Sequence, residues 1–170
     1  MSEDCLIFDV VTNSDSMSKK MSNSDDVALL LSCGSKVAYQ QNIDFLGKWH
    51  NGEIPGKKYT ICLYENEISS ESVVGVLRIW QSPFCNNKWL LEGIEVKFSK
   101  RRNGYGKKLV KKALGILSEL SVDEVYLNVN NKNTSSRSLV TGLGFKLCSE
   151  GCTNSFGHEL KTSNHYVYQF

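Results

Sequence analysis

The sequence contains no apolar run near membrane-spanning length. Its start, Met1-Ser2-Glu3-Asp4-Cys5, lacks the basic segment and long apolar core of a secretion signal. A cytoplasmic protein without a membrane segment is therefore expected. Zinc-type spacing is missing too: Cys148-x-x-x-Cys152 with His158 and His165 has neither a C-x-x-C nor an H-x-x-x-H pair, so no metal is expected. The six cysteines (Cys5, Cys33, Cys62, Cys85, Cys148, Cys152) are scattered in a chain without a signal segment, which argues for reduced thiols rather than a disulfide framework. No Ser-His-Asp arrangement and no cysteine beside a histidine marks a covalent nucleophile. Repeats and low-complexity segments are absent, and 170 residues are most simply one domain, residues 1–170, with its own core. Neither sign of charge dominates: 20 basic and 18 acidic residues give +2, which by itself names no partner.

What the chain does have is a concentrated block from Trp89 to Leu117. Leu90, Ile94, Val96 and Phe98 share one parity, as in a buried strand. From Tyr105 the period changes. Leu109, Ala113, Ile116, Leu117 and Leu120 recur at threes and fours, while Lys107, Lys108, Lys111 and Lys112 face elsewhere, which predicts an amphipathic helix. The switch falls at Gly104-Tyr105-Gly106. Two glycines two apart at a strand-to-helix turn let successive backbone N–H groups point into one concavity at the positive end of a helix, a cradle for an anion. Charge is concentrated there as well: Lys97, Lys100, Arg101, Arg102, Lys107, Lys108, Lys111 and Lys112 are eight cations without a carboxylate among them. The remainder has 12 basic against 18 acidic residues, a net of −6.

Other glycine-loop chemistries fail on residues. A Walker A loop needs Gly-Lys five positions after its first glycine, and Leu109 stands there; the dinucleotide fingerprint needs a third glycine at that same position. Asp123-Glu124 has the spacing of a ribose-binding pair, but the repeated βαβ pattern upstream is missing. Instead, Arg101-Arg102-Asn103-Gly104-Tyr105-Gly106 resembles the R/Q-x-x-G-x-G/A motif of the GNAT superfamily of acyl-CoA-dependent N-acetyltransferases. A second stretch at the right distance, Asn133-Thr-Ser-Ser136-Arg-Ser-Leu139-Val-Thr-Gly-Leu143-Gly144-Phe145, is similar to that family's N-x-x-A-x-x-L-Y-x-x-x-G-F segment. The resemblance covers about residues 89–146 by motif and the rest by order of elements.

Taken in order, residues 5–11 read as a first strand, and residues 12–26 as a polar loop or helix approach. Two helices follow, around 26–32 and 36–49. Turns at Asn51-Gly52 and Pro55-Gly56 lead to a hairpin of strands near 58–64 and 73–80. The central strand follows, with Gly93 as a bulge signal. Beyond the basic helix come a strand over Glu124–Asn130, parallel to the central one because a helix intervenes, and a helix capped by Asn133 or Thr134 and ending near Gly142. A strand then starts at Phe145, and a last one runs from His165 to Phe170 after a turn at Thr162-Ser163-Asn164. The expected fold is α/β of the α+β type: a GNAT-like mixed, mostly antiparallel sheet of about seven strands with helices on both faces.

The resemblance implies acetyl-CoA as acyl donor and a primary amine of a small molecule, peptide or protein as acceptor, joined by direct attack in a ternary complex. It implies that main-chain groups at Ile94 and Val96 hold the pantetheine arm, and that the amides from Arg102 through Asn103, Gly104, Tyr105 and Gly106 to Lys107 hold the pyrophosphate. Arg101 would add charge, and Asn133 with Ser136 would support the arm. An alkylammonium with a pKa of about 10.4 costs roughly 4 to 5 kcal/mol to present as a free amine at pH 7. Some carboxylate must assist. Glu92 is the candidate base and Glu95 the alternative. Many family members carry a tyrosine after the Leu139 position to protonate the leaving thiolate, and here that residue is Val140. Tyr105, Tyr126 and Tyr166 are substitutes that the sequence does not rank. Tyr39, Trp49 and His50 are candidate acceptor contacts. The substitution by Val140 keeps open a CoA-binding module without turnover. A nucleic-acid-binding domain is disfavoured, because the stretch Lys100 to Lys112 has a single aromatic, Tyr105, and the rest of the chain is acidic. Oligomeric state is open, a homodimer included.

Overall fold

The computed structural model describes residues 5–12, 28, 35–69 and 71–170, without the side chain of His50. The polar segment expected at 12–26 and the helix expected at 26–32 lie almost wholly outside the described residues. The elements are β1 (Leu6–Thr12), α1 (Lys36–Asn51), β2 (Lys58–Glu65), β3 (Val73–Ser82), β4 (Lys88–Val96), α2 (Tyr105–Glu119), β5 (Glu124–Asn130), α3 (Thr134–Gly142), β6 (Lys146–Thr153) and β7 (Glu159–Gln169). The seven strands form one sheet in the order β1-β2-β3-β4-β5-β7-β6. Every pairing is antiparallel except β4 with β5, the pair joined through α2.

Alternation along β2 explains why both faces are covered. Ile61 and Leu63 point to one side, where they meet Leu77, Ile79 and the buried stripe Leu109, Val110, Ala113 and Leu117 of α2. Cys62 and Tyr64 point to the other, where they meet Leu46 of α1 and Val76. On that second face Trp49 of α1 packs edge-on against Trp80 with centroids 5.3 Å apart, and its indole N–H donates to the Thr60 hydroxyl at 3.2 Å. Ser35 caps α1 by accepting from the Ala38 N–H, and Gly52 ends it at φ +89°. The four lysines of α2 are all exposed, as the period predicts.

Two expectations need correction. The turn expected at 162–164 is part of a continuous β7; the chain reverses earlier, at Asn154–His158, where the Asn154 side chain accepts from the Phe156 and His158 N–H groups. Ser163 and Asn164 pair with Asn130 and Val129, so ladder partners override their turn preference. The single buried parity expected for the central strand also fails. Phe98 lies beyond β4 in a short helical turn, 83% exposed, with the Arg101 guanidinium 5.3 Å from its ring centre. Leu90 and Ile94 face opposite sides, because the strand changes phase between them.

Candidate active site

That change of phase builds the site. Across β3 and β4, Val76 opposes Glu95 and Arg78 opposes Glu92, so two residues, Gly93 and Ile94, face the single Leu77. Gly93 makes this bulge at φ +63°, a conformation that strains any residue with a side chain. Leu91 before the bulge and Ile94 and Val96 after it pack on the α2 side. Glu92 shares its face with Arg78, and Glu95 shares its face with Val76, so both carboxylates lie on the α1 side.

The bulge also parts β4 from β5. These strands pair only at Leu90–Tyr126 and Leu91–Leu127. Beyond that point the Lys97 N–H donates to the Val74 carbonyl at 2.8 Å, so strand alternation turns the main-chain groups of Val96 the other way, toward β5. The opened edge meets the start of α2. A Cβ on Gly106 would lie 3.4 Å from Leu139 of α3 and 4.0 Å from Val96, so β4, α2 and α3 converge there around a residue with no side chain.

The loop into α2 carries two left-handed residues, Arg102 at φ +67° and Gly104 at φ +77°. Gly104 is the N-cap, no side chain caps the helix, and its first turn has no acidic residue. The first-turn amides therefore have no intrahelical acceptor and no carboxylate competing for them. Asn103 folds the loop back by donating to the Lys100 carbonyl at 3.0 Å. Lys100 pairs with Glu65 at 2.8 Å, and the Tyr105 phenol donates to the same carboxylate at 2.6 Å. Lys100 first, and then Tyr105, hold Glu65 below the usual carboxylate range. Arg101 is also committed: its Nε donates to the Val96 carbonyl at 3.1 Å, and its guanidinium meets Glu95 at 2.5 Å. Arg102, Lys107, Lys108 and Lys111 stay exposed with no ion pair among the described residues.

On the α1 face, Arg78 lies beneath Phe45 and Trp49, its guanidinium carbon 4.9 and 5.4 Å from their ring centres. Its Nε is sealed from water without a hydrogen-bond partner. Burial lowers its pKa, against the opposing pull of the Glu92 charge. The Glu92 side chain makes no hydrogen bond or ion pair among the described residues. Across the gap, Tyr126 of β5 donates its phenol proton to Glu124, which with burial pushes the phenol up to about 12. Tyr126 stacks on His165 with centroids 5.0 Å apart, and His165 Nδ1 meets the Asn128 side-chain oxygen at 2.6 Å.

The β6–β7 hairpin folds over this face. From beyond β5 its tip reaches the β3–β4 connection: the Ser82 hydroxyl donates to the Ser155 carbonyl at 2.5 Å, and Phe156 packs on Phe84 and Trp80 with centroids 5.7 and 5.1 Å away. Beneath it, Asn128 Nδ2 donates to the Thr153 carbonyl at 2.8 Å.

The expected site residues thus fall into three groups. Ile94, Val96, Gly104, Tyr105, Gly106 and Lys107 gather at the opened edge, with Arg101, Arg102 and Asn103 in the loop beside them. Asn133 caps α3 by accepting from the Ser136 N–H at 3.0 Å. Glu92 stands on the α1 face. Among the acceptor candidates, Trp49 is buried in packing and Tyr39 packs against the α1-side core. Val140 is buried in the α2-side core, as is Tyr166, while the Tyr105 phenol is turned to Glu65; of the three phenols, Tyr126 is the one on the α1 face. The sequence reading missed Arg78 and the Asn128–His165 pair. A lone arginine within the apolar run Val73-Val-Gly-Val-Leu77-Arg78-Ile-Trp80 was the available signal for the first. Nothing local pointed to the second, whose partners are 37 residues apart.

A strand that leaves its parallel neighbour at a bulge, beside an acid-free helix N-terminus, defines a fold that can hold an extended, phosphate-bearing acyl carrier against the sheet. Solved structures share this fold. A GNAT-family acetyltransferase from Staphylococcus aureus Mu50 superposes with a TM-score of 0.63 at 16% identity, covering 96% of this chain and 99% of that one. Escherichia coli ElaA gives 0.65 at 18%, covering 97% and 100%. An aminoglycoside 6'-acetyltransferase type Ii gives 0.64 at 16%, covering 96% of each. Comparison with curated protein sequences finds no match. The acetyltransferase (GNAT) family model matches residues 29–145, and the chain belongs to that family of acyl-CoA-dependent N-acetyltransferases. Among the described residues no helix is long and apolar enough to cross a membrane.

Proposed function

We propose that this protein, as a single domain, transfers an acetyl group from acetyl-CoA to a primary amine in a ternary complex. The observation that carries the reading is the pairing of the opened Val96 edge with the acid-free amide cradle at Gly104. The residues fit the donor: Gly104 has open space around it, and Gly106 leaves room where β4, α2 and α3 converge. Ile94 and Val96 would bond the pantetheine amides through their main chain, and the amides from Arg102 to Lys107 would hold the pyrophosphate. Arg102 and Lys107 would add charge, and Arg101 would exchange its bond to the Val96 carbonyl for the donor. Asn133 and Ser136 would fix the α3 end beside the arm. The donor supplies a thioester carbonyl, and the chain supplies position and proton traffic. Glu92 draws the acceptor ammonium toward the gap and assists its deprotonation.

The acceptor is a small molecule, peptide or protein amine, and its location would be cytoplasmic. Calorimetric titration with acetyl-CoA tests the donor site. The native protein should bind, and an Arg102→Glu, Gly104→Glu double variant should not. Equal binding by both would refute the cradle. Glu92→Gln should retain acetyl-CoA binding and lose rate on a panel of amines; undiminished turnover would remove Glu92 from the reaction.

A further inference from the structure

The hydrogen bonds around His165 fix which of its nitrogens carries the proton. Asn128 has one amide nitrogen and one oxygen to offer. Its nitrogen donates to the Thr153 carbonyl at 2.8 Å, a group that can only accept. Its oxygen is therefore the atom facing His165 Nδ1 at 2.6 Å, so Nδ1 must be the N–H donor. Nε2 is left with a bare lone pair. The ring is held flat on Tyr126 with an interplanar angle of 10°.

Position gives that lone pair a purpose. Leu91–Leu127 is the last β4–β5 pair, so Asn128 is the first β5 residue past the point where the strands part. His165 is its register partner on β7, one strand spacing from the gap, about 4.8 Å. Its ring leans toward β5 rather than away from it. Glu92 stands on the same sheet face at the β4 side of the gap. The two groups flank the place where the arm would lie, under the hairpin tied down at Ser155 and Phe156.

We propose that His165 Nε2 receives the proton of the acceptor ammonium, directly or through one water, while Glu92 orients the ammonium by charge. This rests on the acetyltransferase reading. The ammonium gives one N–H proton to Nε2, forming an imidazolium that later releases it to solvent. The freed lone pair bonds the thioester carbon, the C–S bond breaks, and the second N–H proton goes to the departing thiolate. The groups facing the imidazole are consistent with a neutral base. Lys88 of β4, over the Tyr126 ring at 4.5 Å, disfavours a second cation; Tyr126 of β5 keeps its own proton; and Cys148 of β6 acts on Tyr126. Burial first, and then Lys88, hold His165 below its usual value, so it is free to accept at pH 7.

The test has two arms. Long-range nitrogen–proton NMR on the native protein reads the tautomer without any acceptor. An Nδ1–H imidazole that becomes mixed in Asn128→Ala supports the proposal, and an Nε2–H imidazole overturns it. The second arm compares acetyl transfer to benzylamine, protonated at pH 7, with transfer to hydroxylamine, which is neutral there. His165→Asn keeps a donor near Asn128 but removes Nε2. It should slow benzylamine at least a hundredfold and hydroxylamine far less. Asn128→Asp should move the acid limb of the kcat/KM profile up by about one pH unit or more, since a carboxylate there favours the imidazolium. Equal losses on both amines, or an acid limb unmoved by either variant, would overturn the proposal. Acetyl-CoA calorimetry on the same samples shows separately whether the donor reading holds.

Discussion

Replacing Gly93 by alanine should cost about twice as much as replacing Gly104, although both sit in the left-handed region. At Gly104, φ is +77° and a Cβ would meet nothing within 4 Å, so only backbone strain is added, about 1–2 kcal/mol. At Gly93, φ is +63° and the Cβ would lie 3.0 Å from both Cζ and the nearer terminal nitrogen of Arg78. The guanidinium must then leave its place under Phe45 and Trp49, forfeiting about 1–2 kcal/mol more of cation–π contact. The expected totals are about 1–2 kcal/mol for Gly104→Ala and about 2–4 kcal/mol for Gly93→Ala. At roughly 2–4 °C per kcal/mol for a chain of this size, the second variant should melt about 5–15 °C lower than the native protein. Urea denaturation at pH 7 with both variants, and with Gly93→Ala in an Arg78→Ala background, separates the two contributions. In that background the Gly93→Ala cost should shrink to that of Gly104→Ala. Equal costs for the two single variants would refute the argument that Arg78 and the bulge are fitted to each other.

Arg102→Gly should have opposite effects on two measurements: relief of the φ +67° strain raises the melting temperature by a few degrees, while loss of a loop cation weakens acetyl-CoA binding in calorimetry. Phe156→Ala should raise KM for the amine and leave acetyl-CoA affinity within about twofold, because the ring braces the hairpin far from the cradle; a large loss of donor binding would show that the hairpin does more than roof the acceptor side. Stability should fall on acidification in two windows. His165 sits below its ordinary value, so the unfolded chain binds the extra proton first, and stability is lost as pH drops from about 6.5 toward the lower folded value. Glu65 is likewise depressed, and its contribution, present above the ordinary carboxylate value of about 4.3, is lost as pH falls through the folded value. In denaturation across pH, His165→Asn should flatten the first window alone, and Glu65→Gln should shrink the second, to which Glu124, held down by the Tyr126 phenol, also contributes.

The succession of strands and helices along the chain, the parallel β4–β5 pair and the helix that follows the glycine loop were readable because each depends on local period and punctuation. Sequence could announce the Gly93 bulge but not its effect. One extra residue reverses which side every later side chain faces, and only the partner strand shows that Glu92 and Glu95 end on the same side. A cap at Asn133 or Thr134 was readable, and the structure decides for Asn133 by the bond it makes. The commitments of Arg101 to Val96 and Glu95, and of Tyr105 to Glu65, depend on how the loop folds back, which the motif does not encode. The turn expected at 162–164 failed because strand pairing outweighs local turn preference, and with it went any view of His165 as a residue in the middle of a long strand.

The brace from Ser82 to Ser155 joins residues 73 apart, and it can close only when the sheet between them already exists. Chain connectivity thus sets an order of assembly: the edge proposed for the donor draws on the segment Lys88–Glu119 and on β3 and β5 beside it, whereas the hairpin proposed to roof the acceptor waits for the last strand. On opening, the order should reverse. A few aromatic contacts and two bonds to backbone carbonyls hold the hairpin tip, so it is the part most easily released while the rest stays folded. Hydrogen exchange should find residues 154–158 unprotected under conditions where Leu109 to Leu117 hardly exchange. The protein would then admit different amines by loosening one end of its chain, without disturbing the edge that carries the donor.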